Sequence, residues 1–247
     1  MTRWGKWPRP IALEMKICLY GVSGIGVGKH NLKDPRLDQA DRLVEAKKKT
    51  CVQVEVVDDK ALVEADAILV DAASRTDLIL LDLELVETRL GREPSAAEKA
   101  ALTRLAAALE NEVTVREAEL SEEDRGALAV HSFVTSKPVV TATADELAAP
   151  EGLLLRAHRE AGYISFLTVG GKENRAWEIR AGLTAWEAAG AIHSDIQKGF
   201  IRAEIISFQD FVEAGGETEA KRAGKQRLET KQYVMQDYDL VNFRFNK

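Results

Sequence analysis

A glycine-rich stretch with one lysine is the part of the sequence best suited to bind an anion. Gly24, Gly26 and Gly28 are two residues apart, and Lys29 follows directly. Backbone amides of a glycine loop can surround a phosphate, and a lysine ammonium adds a positive charge beside it. We therefore predict phosphate binding by these four residues. The alternative interpretation is a flexible loop with a solvated lysine.

An aspartate pair, Asp58 and Asp59, follows the apolar segment 52–57. A carboxylate at the end of a strand can contact a metal ion through water, which makes Asp58 our candidate metal residue. Such an aspartate also commonly caps the next turn. Capping is the interpretation that we favour for Asp58.

Three adjacent residues, His193, Ser194 and Asp195, carry an imidazole, a hydroxyl and a carboxylate. Sequence neighbours rarely face one another, and catalytic triads are assembled across a fold. We therefore expect a turn at a helix end, held by side-chain hydrogen bonds. No residue of the chain is assigned a catalytic role.

The last part of the chain is rich in cations. They are Lys198, Arg202, Lys221, Arg222, Lys225, Arg227, Lys231 and Arg244. Together they can form a docking face for RNA or the ribosome, since phosphate binding needs clustered positive charge. The alternative is a solvated surface balanced by the acidic residues between them.

Apolar patterning predicts the elements that position these residues. Short apolar runs at 15–21, 52–57, 67–70 and 138–142 are typical of buried strands in a parallel sheet. Leucines at helical spacing predict a helical hairpin within residues 77–119. The sheet and the hairpin therefore form one α/β unit.

Further elements surround this unit. Helical spacing predicts helices at 37–49 and 153–161. From residue 162 onward, a predicted hairpin, a helix and later strands follow in the order of a small helix-on-sheet domain. We therefore expect two domains in the 247 residues.

Composition limits the class of protein. The chain is 45% hydrophobic and 30% charged, which is ordinary for a soluble globular protein. Its formal charge of −6 gives no global attraction to nucleic acid. Cys18 and Cys51 lie in apolar runs, so we expect free thiols and a cytoplasmic location. No apolar run is long enough to span a membrane, and residues 1–14 lack a signal-peptide core.

Several segments closely resemble the YchF (EngD, Obg-like ATPase) family of P-loop proteins. The C-terminal TGS domain of that family is similar to ISFLT (164–168), RAWEIRAG (175–182), AAGAIHSDIQKGFIRAEIISFQDF (188–211), EAKRAGKQRLE (219–229) and FRFN (243–246). Upstream landmarks of the family are similar to DPRLDQ (34–39), VEVVDD (54–59), EADAI (64–68), LDLELVETRL (81–90), AELSEED (118–124) and SKPVV (136–140). The resemblance covers most of the chain.

The resemblance also shows where this chain departs from the family. A family P-loop ends in Lys followed by Ser or Thr, but His30 follows Lys29 here, and imidazole is a poor magnesium ligand. Only residues 31–33 separate the loop from the DPRLDQ segment, so several dozen family residues have no counterpart. Ala61 stands at the glycine of the family DxxG motif. Of the two residues that read the base in the family, only Glu146 remains.

The expected fold is therefore α/β: a reduced P-loop-type parallel sheet with a helical hairpin insertion, followed by a C-terminal β-grasp (TGS) domain. We expect a flexible extension at 1–14, the nucleotide-binding-like domain at 15–161 with its hairpin at 77–119, and the TGS domain at 162–247.

The resemblance implies nucleotide binding and association with the ribosome or RNA through the TGS domain. It implies ATP rather than GTP, with Mg²⁺, and the departures predict weak or lost hydrolysis. One alternative is a non-catalytic TGS-domain adaptor that binds RNA or protein. Another is a damaged or truncated gene product, whose α/β part would be poorly packed.

Overall fold

The computed structural model describes residues 14–246, and the chain divides into two compact units. The first unit comprises residues 15–28 and 55–153. The second comprises residues 29–54 and the chain from Leu154 onward, together with Glu14. The sequence predicts one division at residue 161, whereas the chain passes between the two units after residues 28, 54 and 153. The expected extension lies outside the described residues, apart from Glu14.

The described residues form strands and helices along their whole length. The strands are β1 Lys16–Tyr20, β2 Gly28–Asn31, β3 Lys48–Thr50, β4 Gln53–Val57, β5 Ala67–Asp71, β6 Val139–Ala142, β7 Tyr163–Thr168, β8 Glu173–Arg180, β9 Phe200–Ile206, β10 Arg227–Glu229 and β11 Leu240–Phe245. The α-helices are α1 Pro35–Leu43, α2 Arg75–Leu90, α3 Ala96–Glu110, α4 Glu122–Leu128, α5 Ala144–Ala148, α6 Pro150–Glu160, α7 Ala185–Ile192, α8 Ser194–Lys198, α9 Phe208–Ala214 and α10 Glu217–Arg222. Two short 3₁₀ helices lie at Asp59–Ala61 and Val134–Ser136.

The parallel strands β4, β1, β5 and β6 form the centre of the first unit. The sheet order is β2-β4-β1-β5-β6, and β1 pairs in parallel with both β4 and β5. Ile17 and Cys18 of β1 and Ile68 and Leu69 of β5 have no exposed surface, as expected for strands covered on both faces. The predicted parallel sheet is confirmed.

The helical hairpin consists of α2 and α3, and its leucines form the second core of the first unit. Ser95 begins α3 by accepting a hydrogen bond from the backbone N–H of Glu98 at 3.3 Å. The buried members of this core are Ile79, Val86, Ala101, Leu102, Leu105, Leu109, Val115, Ala118, Leu128 and Phe133. The predicted hairpin is therefore confirmed, and the helical spacing of its leucines reflects packing.

A buried carboxylate fixes α2 to the chain that leads into β6. Asp82 is 1% exposed and accepts hydrogen bonds from the backbone N–H groups of Val134 and Thr135, each at 2.7 Å. It also accepts from the hydroxyl of Thr135 at 2.6 Å. Because three donors converge on one side chain, Asp82 holds the Val134–Ser136 turn in place.

A six-stranded sheet forms the centre of the second unit. Its order is β10-β9-β11-β7-β8-β3, so β11 lies between β9 and β7 although it is the last strand in the sequence. Thr184 and Glu187 form a capping box that begins α7. The core beneath α7 contains Phe166, Ile179, Ala185, Ala188, Ala189, Ala203, Ile205, Met235, Val241 and Phe243.

An ion-pair network attaches residues 29–54 to this unit. Asp34 is 5% exposed and accepts hydrogen bonds from the backbone N–H of Arg36 at 2.9 Å and from its Nη2 at 2.7 Å. Arg159 of α6 donates to the same carboxylate at 2.9 Å. Arg36 also donates to Asp237 at 2.7 Å and lies 3.6 Å from the ring centroid of Tyr238. One aspartate thus begins α1 and docks it.

The predicted helix at 37–49 is wrong beyond Leu43. The side-chain amide of Asn174 donates to the carbonyl of Val44 at 2.6 Å and to Asp41 at 2.8 Å. After this point Lys48–Thr50 forms β3, which pairs in parallel with the start of β8. Pairing with β8 therefore overrides the local helical pattern.

We predict that Asp82→Ala destabilises the first unit by about 3 kcal/mol, because it leaves buried donors without an acceptor. Urea unfolding followed by circular dichroism measures this loss. Glu84→Ala, an exposed change on the same helix, is the control and should cost less than about 0.5 kcal/mol. Equal stability of the two variants would contradict the role of Asp82.

A second prediction concerns the acid stability of the hairpin. Glu98 accepts hydrogen bonds from Arg89 at 2.6 Å and pairs with His131 at 2.9 Å. The guanidinium of Arg89, followed by His131, lowers the pKa of Glu98 from 4.5 to about 2. A lowered folded-state pKa stabilises the protein above the unfolded-state pKa, and this stabilisation is lost as the pH falls from about 4.5 to about 2.

Unfolding of Glu98→Gln should consequently depend less on pH than unfolding of the wild type between these values. Thermal melts across this range measure the difference. Two melting curves with the same acid slope would show that the Arg89–Glu98 pair contributes nothing.

Candidate functional site

The carboxyl ends of four parallel strands meet at one edge of the sheet in the first unit. Gly21 follows β1, Asp58 follows β4, Asp71 ends β5 and Thr143 follows β6. The chain places β4 on one side of β1 and then β5 and β6 on the other, so the strand order reverses at β1. Ligands of open α/β sheets bind at such a reversal, outside the carboxyl ends of the strands. This carboxyl edge is the candidate site.

Close packing fixes the start of the loop that follows β1. Gly21 has φ = 68°, and a Cβ atom on it would overlap the side chain of Ser74. Ser74 is the residue that precedes α2, and its backbone N–H donates to Asp71 at 2.7 Å. Glycine is therefore required at position 21 both by its backbone conformation and by its contact with Ser74.

The glycines predicted to bind phosphate form an open loop. Gly24 and Gly28 have φ values of 87° and 118°. A Cβ atom on Gly24, Gly26 or Gly28 would meet no atom within 4 Å. The three glycines are exposed, and the described residues leave open space beside their α-carbons, whereas Ile25 between them is buried.

A strand follows this loop instead of a helix. Gly28 begins β2, and Lys29 and His30 lie within the same strand. Phosphate-binding loops of the P-loop type gain much of their affinity from the positive end of the helix that follows them. Among the described residues, the loop therefore offers a phosphate its backbone amides and Lys29, without the positive end of a following helix. Phosphate binding by Gly24, Gly26, Gly28 and Lys29 therefore stays a prediction.

Lys29 already has an acidic partner. Its ammonium lies 2.7 Å from Glu14 Oε1, and the two side chains are 60% and 39% exposed. An exposed ion pair of this kind is worth less than about 1 kcal/mol, so a ligand with several negative charges can displace it. The sequence does not indicate Glu14 as the partner of Lys29, because the two residues belong to no common motif.

The carboxylates of the edge cap their own chain. Asp58 accepts a hydrogen bond from the backbone N–H of Lys60 at 3.2 Å and begins the Asp59–Ala61 turn. Asp71 accepts from Ser74, whose backbone N–H holds the pKa of Asp71 below its usual value. The favoured capping interpretation of Asp58 is thus observed. Asp71 was overlooked, although its place directly after an apolar strand was visible in the sequence.

Glu146 is also part of a capping interaction. Its carboxylate accepts hydrogen bonds from the backbone N–H of Thr143 at 2.9 Å and from the Thr143 hydroxyl at 3.1 Å. The two residues form a capping box at the start of α5. A base-reading role for Glu146, which the family resemblance implies, stays a prediction.

The donor groups of this edge do not fit a magnesium ion. Mg²⁺ prefers hard oxygen ligands in octahedral geometry. The residue after Lys29 is His30, and the Asp58 carboxylate accepts from the backbone. Residues 14–246 contain no group of three or more His, Cys, Asp or Glu side chains that could hold a metal ion. A water-mediated contact of Asp58 with a metal stays a prediction.

The His193-Ser194-Asp195 segment forms a helix junction. His193 ends α7 and precedes α8, and its Nδ1 accepts a hydrogen bond from the backbone N–H of Asp195 at 3.0 Å. The imidazole therefore caps a helix, as predicted.

Acidic partners accompany most of the cations in the second unit. Lys221, Arg222, Lys225, Arg227 and Arg244 contact Glu217, Glu219, Asp210, Glu229 and Glu204, respectively. Lys198, Arg202 and Lys231 form no ion pair with a carboxylate in the described part of the chain. Among the eight cations predicted to form a docking face, these three are the ones without a carboxylate partner in residues 14–246.

Two further sequence predictions concern the whole chain. Cys18 is buried and Cys51 is half-buried, and both are free thiols. Within the described residues, no helix is both long enough and apolar enough to cross a membrane.

Comparison with known proteins connects both units with one family. The family model YchF-GTPase_C, described as a protein of unknown function (DUF933), matches residues 163–246. The ribosome-binding ATPase YchF of Bacillus subtilis is 31% identical over 235 residues, which are 69% of this chain and 64% of that protein. The protein of the same name from Haemophilus influenzae is 41% identical over 160 residues, which are 63% of this chain and 39% of that protein. The chain thus spans less than two thirds of the length of these relatives.

A solved structure shows the same fold. The Schizosaccharomyces pombe YchF GTPase superposes with a TM-score of 0.75 at 17% sequence identity, covering 97% of this chain and 100% of that one. This likeness confirms the predicted α/β architecture with its two sheets. The matching family model and the sequence relatives show that the chain belongs to the YchF family.

Proposed function

We propose that this chain is a ribosome-associated member of the YchF family that binds nucleotide weakly and has lost hydrolysis. Its curated relatives carry the name ribosome-binding ATPase, which favours ATP over GTP as the nucleotide. Association with ribosomes would place the chain in the cytoplasm. The proposal extends to this chain a function that belongs to longer proteins.

The carboxyl edge supports weak binding. The three glycines of the loop are exposed, and the adjacent Lys29 forms an exposed ion pair with Glu14. Backbone amides and one ammonium can hold a phosphate group, but the missing helix removes the dipole that strengthens such sites. We therefore expect affinity of about millimolar strength, equivalent to about −4 kcal/mol.

The same edge supports the loss of hydrolysis. Phosphoryl transfer requires a metal ion to neutralise charge and a positioned water to attack. Asp58, Asp71 and Glu146 all accept hydrogen bonds from the turns that follow their strands. This use of the edge carboxylates as caps is the observation that carries the proposal.

A second candidate function is a non-catalytic adaptor. The family model matches residues 163–246, the segment that we propose to be the TGS domain. This segment contributes all of the core beneath α7, so its packing does not depend on a nucleotide. In the adaptor function the glycine loop serves only the fold, and the second unit binds RNA or protein.

Nucleotide titration distinguishes the two functions. We predict that ATP binds with a dissociation constant of about 1 mM and that Mg²⁺ changes this value little. Lys29→Ala should weaken binding about fivefold or more, and Glu14→Gln should strengthen it, because it removes the competitor of the phosphate. Isothermal titration with ATP and GTP, each with and without Mg²⁺, measures these effects.

Lys172→Ala is a matched control, since Lys172 is an exposed lysine on the turn between β7 and β8. No heat at several millimolar nucleotide would favour the adaptor. Binding that survives Lys29→Ala would place the nucleotide site elsewhere. A strong requirement for Mg²⁺, or ATP hydrolysis above background, would contradict our account of the edge carboxylates.

Ribosome association has its own test. We predict that the chain co-sediments with purified ribosomes at about 50 mM salt and is released at about 500 mM, because contacts with phosphate weaken as salt rises. Failure to sediment at low salt would overturn the proposed association with ribosomes.

A further inference from the structure

The antiparallel pair β9–β11 presents one row of side chains away from the core of the second unit. Ala203, Ile205, Val241 and Phe243 belong to the core beneath α7. Successive side chains of a strand point to opposite faces, so the residues between them lie on the other face of the sheet. The outer face consists of Arg202 and Glu204 of β9 and Asn242 and Arg244 of β11, with Leu228 of β10 opposite Glu204.

Two arginines lie directly opposite each other on this outer face. Arg244 pairs in register with Arg202, and Asn242 pairs with Glu204. Like charges directly opposite each other on one face of a sheet repel and destabilise the pair of strands. A negatively charged partner that binds between the two arginines would relieve this repulsion.

Within residues 14–246, a carboxylate neutralises one of the two arginines, Arg244. Glu204 is 8% exposed, and it binds Arg244 through Nε at 2.7 Å and through Nη2. The amide of Asn242 donates to the other carboxylate oxygen at 2.7 Å. Burial raises the pKa of Glu204, but the hydrogen bonds from Asn242 and Arg244 outweigh burial and lower it. Glu204 thus stays ionised and holds Arg244 in one orientation.

Arg202 keeps its charge available. Its side chain is exposed and donates to the backbone carbonyl of Ile201 at 3.1 Å. Among the described residues no carboxylate forms an ion pair with Arg202. A guanidinium with open donors suits the planar, bidentate recognition of phosphate oxygens.

A third cation lies at the same end of the strands. Lys198 ends α8 and is exposed, and the next residue, Gly199, accepts a hydrogen bond from the backbone N–H of Asn246 at 2.9 Å. Asn246 directly follows β11, so Lys198 lies beside the end of the strand that carries Arg244. Three cations therefore share this end of the sheet with one buried carboxylate.

The chemistry of the outer face matches a phosphate backbone better than bases. Its five residues, named above, include no aromatic side chain, whereas stacking of unpaired bases requires one. Arginines contact phosphates independently of sequence, and the aromatic residue next to Arg244, the 37% exposed Phe245, lies beyond the register shift that follows Arg244. Leu228 is 57% exposed, whereas Ile206 and Leu240, the next pair on the same face, are buried.

We propose that the outer face, with Lys198, is the surface through which the second unit binds the phosphate backbone of ribosomal RNA. The proposal rests on the ribosome association proposed above and assigns it to named residues. Arg202 makes the principal contact, and Arg244 is held by Glu204 for a second one.

Binding of the full-length chain to purified ribosomes and to protein-free ribosomal RNA tests this assignment. We expect Arg202→Glu to weaken both interactions about tenfold at low salt and Arg202→Gln to weaken them about fivefold. Each variant should also make the plot of log binding constant against log salt concentration less steep, by about one unit of slope. Lys231→Glu is the matched control: Lys231 is exposed, and its carbonyl accepts from the backbone N–H of Trp186 at the start of α7, away from the outer face. It should change binding less than twofold.

Thermal melts separate lost binding from lost folding. Removal of one of two opposed positive charges relieves repulsion, so Arg202→Gln should melt at or above the wild-type temperature. A lower melting temperature would contradict the repulsion that motivates the proposal.

The outcomes distinguish this proposal from the function on which it rests. If the wild-type chain binds no ribosomes, the proposed function fails. If the wild type binds and Arg202→Glu binds equally well, the outer face is not the docking surface, while the function stands. If Arg202→Glu loses binding to ribosomes but the wild type does not bind free RNA, the partner is a protein, and the RNA assignment is overturned.

Discussion

The buried carboxylate of Asp34 determines where residues 29–54 are attached within the second unit. It begins α1 and, through Arg36 and Arg159, fixes that helix within the second unit. Only five residues separate Gly28 from Asp34, and this is too few for a helix of ordinary length. Strand β2 occupies most of that link. The start of α1 at Asp34 therefore leaves no room for a helix of ordinary length directly after the glycine loop.

The candidate edge shows how a ligand site can become part of the scaffold. Asp58, Asp71 and Glu146 stand where an α/β sheet normally presents groups to its ligand, and each accepts a hydrogen bond from its own backbone. Such caps stabilise the turns by about 1 kcal/mol each. A residue that is committed to a cap needs a competing interaction of similar strength to turn toward a ligand. A chain can therefore keep carboxylates at this edge of the sheet without using them in catalysis.

Local signals were sufficient for the elements whose contacts are local. The apolar runs of β1 and β5 and the leucine spacing of the hairpin predicted buried strands and paired helices, and both are observed. Long-range pairing was not visible in the sequence. The polar segment Lys48–Thr50 continues a helical pattern, and only its register with Glu173–Arg175 makes it a strand. The pairing of Arg202 with Arg244 was not predicted from the sequence either, because the two residues become neighbours only through the β9–β11 register.

The position of β11 has a consequence for biosynthesis. This strand lies between β9 and β7, so the sheet of the second unit remains divided until residues 240–245 are present. A nascent chain that emerges from its N-terminal end exposes β7, β8 and β9 well before the strand that joins them is made. The first unit contains no residue beyond 153 and is free of this delay. The two units are therefore expected to complete folding at different stages of translation, the second unit last.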